Sequence, residues 1–122
     1  MNLKCFLAME HVLVAPSGRS GGTVDAALAD RGLARKVTCL VPYFMVALDI
    51  VSRTNWVLTV SERLATAYAE RYGLQVLKPP LALPAYTICQ VWHPRVDADP
   101  SHRWLRRWVV QAATELTRRR AR

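Results

Sequence analysis

The chain has 122 residues, enough for one domain with a hydrophobic core, and 52% of them are hydrophobic. It contains no run of about eighteen apolar residues, so no membrane span is expected. Its net charge is +8, but residues 103–122 hold seven Arg against one Glu while the first 102 hold ten Lys or Arg against eight acids. The basic character is therefore a property of the C-terminal end, not of the whole surface.

Residues 1–9 give no clear pattern. Their short apolar run lacks the length and the small-residue cleavage site of a secretory signal, so a cytoplasmic location is the expectation. His11-Val12-Leu13-Val14-Ala15 predicts a strand. Pro16 to Gly22 predicts a loop, and Thr23 is placed to cap a helix over Val24 to Arg31, with Asp25 in its positive first turn. Gly32 ends that helix as a C′ residue.

Lys36 to Ser61 predicts strand, helix, strand. Lys36 to Val41 is short, apolar and β-branched. Pro42 suits the first turn of a helix. Tyr43 to Val51 is apolar all round except Asp49, which predicts a helix buried on most sides. Trp56 to Val60 is the second strand. Strands without polar alternation are covered on both faces, so a βαβ unit at the centre of an α/β sheet is expected. In such sheets ligands lie beyond the carboxyl ends of the strands, here at Pro42-Tyr43-Phe44 and Thr59-Val60-Ser61.

Ser61 caps a helix over Glu62 to Tyr72, closed by Gly73. Leu74 to Leu77 predicts a short strand, Lys78 to Pro84 an extended proline-rich stretch, and Tyr86 to Trp92 a longer strand. Asp99-Pro100 starts the last helix, which is expected to bury Trp104, Leu105, Trp108, Val109, Ala112 and Leu116. Cys39 and Cys89 fall in predicted strands and are expected to be buried thiols.

These segments resemble the effector-binding domain of LysR-type bacterial transcription regulators. The resemblance rests on His11-Val12-Leu13-Val14-Ala15-Pro16-Ser17-Gly18, on Leu58-Thr59-Val60-Ser61-Glu62-Arg63-Leu64-Ala65, and on Gly73 to Leu77 with Pro79-Pro80. Its most specific parts are the strand ending Val91-Trp92-His93 and the helix opening Asp97-Ala98-Asp99-Pro100-Ser101-His102-Arg103-Trp104-Leu105-Arg106. It covers about residues 10–115. It implies an α/β fold of the type 2 periplasmic-binding-protein kind, with two subdomains around a cleft. Residues about 11–65 would be the second subdomain, and about 75–115 would return to the first. No stretch matches the family's helix-turn-helix or its opening strands, so the chain reads as a truncated form, and DNA contact is expected only through a module missing from it.

The resemblance also implies a non-enzymatic sensor of a small organic effector. Tyr43, Phe44, Thr59 and Ser61 are the candidate effector contacts, with most of the opposite cleft wall in the missing half. Exposed apolar faces predict a homodimer or higher oligomer.

Other motifs support weaker readings. Gly18-Arg19-Ser20-Gly21-Gly22 matches G-x-S-x-G between a strand and a helix, with Asp97 and His102 following in hydrolase order. Ser20 lies five residues past Ala15, however, too far for a sharp elbow, and no oxyanion motif precedes it. The same loop offers Ser17, Ser20 and Gly21 as a weak anion site at a helix N-terminus. His11, His93 and His102 lack metal-ligand spacing, and no cofactor is implied. The tail Arg118-Arg119-Arg120 and Arg122 leaves a basic nucleic-acid-binding accessory protein as an alternative.

Overall fold

A computed structural model describes residues 1–19 and 21–120. The chain divides into two compact units, Met1–Ala85 and Tyr86–Arg122.

In the first unit, α1 (Leu3–Ala8) leads into β1 (Glu10–Val14), α2 (Thr23–Ala29), β2 (Lys36–Val41), α3 (Phe44–Ser52), β3 (Val57–Leu58) and α4 (Glu62–Tyr68). The sheet order is β2-β1-β3, and both neighbours run parallel to β1. Val12 pairs with Cys39 on one side and with Leu58 on the other. The three predicted strands thus share one β-layer. β2 and β3 are not neighbours, however, because β1 lies between them.

Successive strand residues face opposite sides, which assigns the two cores. Val12 packs with Val41, Ala47 and Val51, joined by Val14, Leu58 and Leu74, on the α3 side. Phe6, Val24, Leu28 and Leu81 form the core beneath α1 and α2, joined by Val57. The unit is therefore helices, sheet, helix in three layers.

Several local signals act as their chemistry requires. Gly32 takes φ +67° after α2, and the Leu33 N–H donates to the Leu28 carbonyl, closing the helix. The α2 N-cap is Gly22 rather than Thr23, and its N–H donates to the Asp25 carboxylate at 2.8 Å. α1 occupies residues with no clear sequence pattern. Its N-cap is Asn2, whose side chain accepts the Cys5 N–H.

Burial departs from expectation in four places. β2 is an edge strand whose Lys36, Thr38 and Leu40 are exposed, because one of its faces lacks a covering layer among the described residues. α3 buries Ala47, Leu48 and Val51 but exposes Phe44, Met45 and Val46, since among the described residues its packing against the sheet and its neighbours leaves that side uncovered. Leu74 to Leu77 forms no strand. Cys39 is half-buried and Cys89 exposed, so neither thiol is enclosed as predicted.

In the second unit, residues 86–92 run outside any strand, then a 3-10 turn spans Pro94–Val96, and α5 spans Pro100–Arg120. Among the described residues, the expected strand Tyr86 to Trp92 has no ladder partner, so its β-propensity finds no sheet to join. The expected cap is present: the Asp99 carboxylate accepts the His102 N–H at 2.7 Å. The expected burial is absent: Trp104, Leu105, Trp108, Val109 and Leu116 are all exposed. Their stripe is amphipathic, but nothing among the described residues covers it.

Candidate functional site

Three parallel strands end at the same edge of one sheet. Each is followed by a loop and then a helix N-terminus. β1 is followed by residues 15–22 and α2, β2 by Pro42-Tyr43 and α3, and β3 by residues 59–61 and α4. Because β2 and β3 flank β1, the loops carrying Tyr43, Phe44, Thr59 and Ser61 straddle the loop carrying Ser17 and Gly21. The Ala15 N–H donates to the Val41 carbonyl at 2.8 Å and ties the first two strand ends together. The strand-end argument thus places the predicted residues on one edge, the side on which open α/β sheets receive ligands.

The residues differ in what they present there. Tyr43 is the N-cap of α3 and is 68% exposed; Phe44 follows it, also exposed. Thr59 is half-buried, as is Ser61. Ser61 is an N-cap, its hydroxyl accepting the Leu64 N–H at 3.3 Å. Ser17 is exposed. Gly18 and Gly21 adopt φ +69° and +98°, left-handed backbone that glycine accepts without strain. Ser20, the proposed nucleophile and anion ligand, lies outside the described residues, as do the side chains of Arg118-Arg119-Arg120 and all of Arg122.

The helix N-termini at this edge are not equivalent. At α2 the Asp25 carboxylate takes the Gly22 N–H, and at α4 the Ser61 hydroxyl takes the Leu64 N–H. At α3, as at α2, the N-cap residue supplies no side-chain acceptor, so the first N–H groups and the positive end of the α3 dipole are left without a side-chain cap. Tyr43 and Phe44, both exposed, stand at the start of the same helix. The edge therefore offers backbone donors, hydroxyls and an apolar wall, the mixture a small organic molecule requires.

Sequence reasoning missed the buried polar contacts of the first unit. Arg35 donates to Asp25 in a two-pronged pair, Nε to Oδ1 at 2.7 Å and Nη2 to Oδ2 at 3.0 Å, with the guanidinium side chain almost wholly buried. That hydrogen-bonded guanidinium holds the Asp25 carboxyl below the usual carboxylate range. Asp25 was legible as a first-turn acid, but its partner ten residues on was not. His11 is fully buried on β1, where desolvation pushes its imidazole below its ordinary range.

The remaining motif residues, as far as they are described, are engaged in local contacts. Among the described residues, no group of three or more His, Cys, Asp or Glu could hold a metal ion. Asp97 and His102 are both engaged by Arg106, which donates to Asp97 Oδ1 at 3.5 Å and to His102 Nδ1 at 3.0 Å. Among the described residues, no helix is long and apolar enough to cross a membrane.

Comparison with known proteins gives a consistent answer. The family model of the LysR substrate binding domain matches residues 5–114. The HTH-type transcriptional regulator LinR of Sphingobium indicum is 34% identical over 103 residues, covering 83% of this chain and 34% of that protein. The HTH-type transcriptional activator NagR of Ralstonia sp is 33% identical over 115 residues, covering 94% of this chain and 38% of that protein. The chain thus spans about a third of the length of these curated relatives. The crystal structure of the regulatory domain of MexT, a transcriptional activator in Pseudomonas aeruginosa, superposes with a TM-score of 0.75 at 31% identity, covering 89% of this chain and 55% of that one. Its relatives are transcription regulators rather than enzymes, its fold is of the type 2 periplasmic-binding-protein kind, and the chain belongs to the LysR substrate-binding domain family.

Proposed function

We propose that this chain is the sensing part of a LysR-type transcription regulator and takes a small organic effector at the carboxyl edge of its parallel sheet. In this reading Tyr43 and Phe44 wall the ligand. Thr59 supplies a hydroxyl, and Ser61 serves both the ligand and the α4 cap. Ser17, Ser20 and Gly21 border the same edge as weak anion contacts. The uncapped N-terminus of α3 favours an effector bearing a negative group. The observation that carries the reading is the convergence of three strand-end loops on one edge, with the exposed Tyr43 and Phe44 at the start of α3, whose N-terminus has no side-chain cap.

Residues about 11–65 then form the second subdomain of the family fold, and about 75–115 belong to the first. Effector binding biases the closure of the two subdomains and so the packing between subunits. The chain self-associates as a homodimer or larger assembly. The exposed Trp104, Leu105 and Trp108 and the unpaired extended residues 86–92 support this, since such surfaces favour association. DNA is reached through sequence of the kind the longer relatives carry beyond the matched part, and the protein works in the cytoplasm.

A thermal-shift screen of small aromatic and aliphatic acids tests the assignment. A true effector raises Tm with its concentration, by mass action on the folded state. Tyr43→Ala and Thr59→Val abolish the rise while leaving the unliganded Tm close to the parent value. A ligand whose effect survives both substitutions refutes this site.

A further inference from the structure

The three acidic side chains of residues 86–122 all have partners. Asp97 Oδ1 accepts the Trp92 indole N–H at 2.8 Å and Arg106 Nη2 at 3.5 Å. The Asp99 carboxylate caps α5, and Glu115 Oε1 accepts the Gln111 side-chain amide at 3.1 Å. Against these three acids stand eight arginines, 95, 103, 106, 107, 118, 119, 120 and 122.

The arginines near the start of α5 are not alike. Arg106 is structural. Its guanidinium stacks 4.4 Å from the centre of the Trp92 ring and donates to the carbonyls of Val96 and Asp97. Arg103 uses Nη2 on the Ala98 carbonyl at 2.8 Å, which leaves its other donors open. Arg107 has no hydrogen-bond or ion-pair partner among the described residues.

Arg103 and Arg107 are four apart on α5, where like charges repel across one turn. They border two shallow, open depressions of the surface, one lined also by Gln90, Trp92 and Val110, the other by Pro100 and Trp104. An anion between the two guanidiniums would turn that repulsion into two charge-assisted attractions. A guanidinium fork matches the paired oxygens of a carboxylate or phosphate.

We propose that the groove between residues 90–92 and α5 is an anion site, in which Arg103 and Arg107 hold an oxyanion of the phosphate or carboxylate type. The site lies wholly within the second unit and shares no residue with the strand-end edge, so either assignment can fail without the other. Arg106, locked on Trp92 and the turn carbonyls, fixes the groove wall and contributes positive potential.

The test is a residue-resolved NMR titration of the full 122-residue chain at constant ionic strength. Inorganic phosphate and benzoate are used in separate arms. Saturable shifts of the Arg103 and Arg107 side-chain N–H signals support the site, and the arm that saturates identifies the oxyanion class. Arg107→Gln should weaken that binding by about tenfold or more, the usual consequence of losing a hydrogen bond to a charged group. Circular dichroism of the variant checks that α5 is retained. Shifts that rise linearly without saturation in both arms overturn the proposal. So does binding that persists unchanged in the Arg103→Gln/Arg107→Gln chain. Benzoate that perturbs only Tyr43, Phe44 and Thr59 supports the effector edge and counts against the groove.

Discussion

The imidazole Nε2 of His11 lies 2.8 Å from the carbonyl oxygen of Phe6, and the Phe6 ring packs edge-on against the imidazole at 4.5 Å between centroids. The carbonyl can only accept, so Nε2 carries the proton. Nδ1 is buried without a hydrogen-bond partner among the described residues. The ring is thus held as the neutral tautomer, and one bond pins the end of α1 to the first residues of β1.

This arrangement predicts acid sensitivity. Burial depresses the folded-state pKa of His11 below its ordinary 6.5; the hydrogen bond to the Phe6 carbonyl and the Asp25 charge oppose this, and the nearby Arg35 charge adds to it. Between the depressed value and 6.5 the unfolded chain binds more protons than the folded one. Stability therefore falls as pH drops below about 6.5 and levels off once the folded imidazole also protonates. Urea unfolding at a series of pH values should show this fall in the parent chain and a much flatter profile in His11→Gln. An identical slope in both chains would remove His11 from the account.

The Asp25–Arg35 pair predicts an unequal cost for breaking it from either side. Asp25→Asn leaves the buried guanidinium of Arg35 without a counter-charge and weakens the bond to the Gly22 N–H. Arg35→Met removes the buried cation and leaves Asp25, which is partly exposed, to water. Stranding a buried charge is the costlier change, roughly 2–4 kcal/mol against about 1–2. Chemical denaturation of the two variants measures the difference. The folded Asp25 pKa is lowered, so its contribution is complete above the ordinary carboxylate value and is lost as pH falls through the folded one.

The strand positions and helix starts were legible because they rest on local chemistry. Val12, Val37 and Val57 sit in β-branched runs, while Ser61, Asp99-Pro100 and Gly32 mark helix ends through bonds to their immediate neighbours. What could not be read was burial that depends on a distant partner. Trp104 and Trp108 have the spacing of a core stripe whether or not anything covers them. Tyr86 to Trp92 has strand composition with or without a ladder. The residues of the candidate edge were legible because strand direction alone fixes which loops share it. The uncapped N-terminus of α3 was not, since it depends on the Tyr43 side chain making no cap bond where Ser61 makes one.

The core predicts where stability is concentrated. Leu28 is fully buried between Phe6, Val24 and Leu81. Leu28→Ala should cost roughly 2–5 kcal/mol through lost transfer energy and the cavity left behind. Trp104→Ala, on an exposed position, should cost under about 0.5 kcal/mol in the monomer, and more where the proposed assembly covers that face. Denaturant midpoints check both. A large loss at Trp104 would mean that this face is covered in solution, and light scattering at the same concentration would then show an assembly larger than a monomer.

Ser61 must be separated from its structural duty before any binding role is assigned. Its hydroxyl accepts the Leu64 N–H, so Ser61→Ala should destabilise α4 by about 1 kcal/mol regardless of ligand. Ser61→Asp keeps a capping oxygen and adds a charge favourable to the helix dipole, so it should recover most of that loss. At the ligand edge the two changes differ in another way. The new carboxylate would repel an anionic effector that the alanine merely contacts less. A screen hit should therefore raise Tm in the order parent, Ser61→Ala, Ser61→Asp, while the unliganded stabilities of the two variants run the other way. If the ligand-induced rise instead follows the unliganded stabilities, Ser61 acts only as a cap and the effector contacts lie with Tyr43, Phe44 and Thr59.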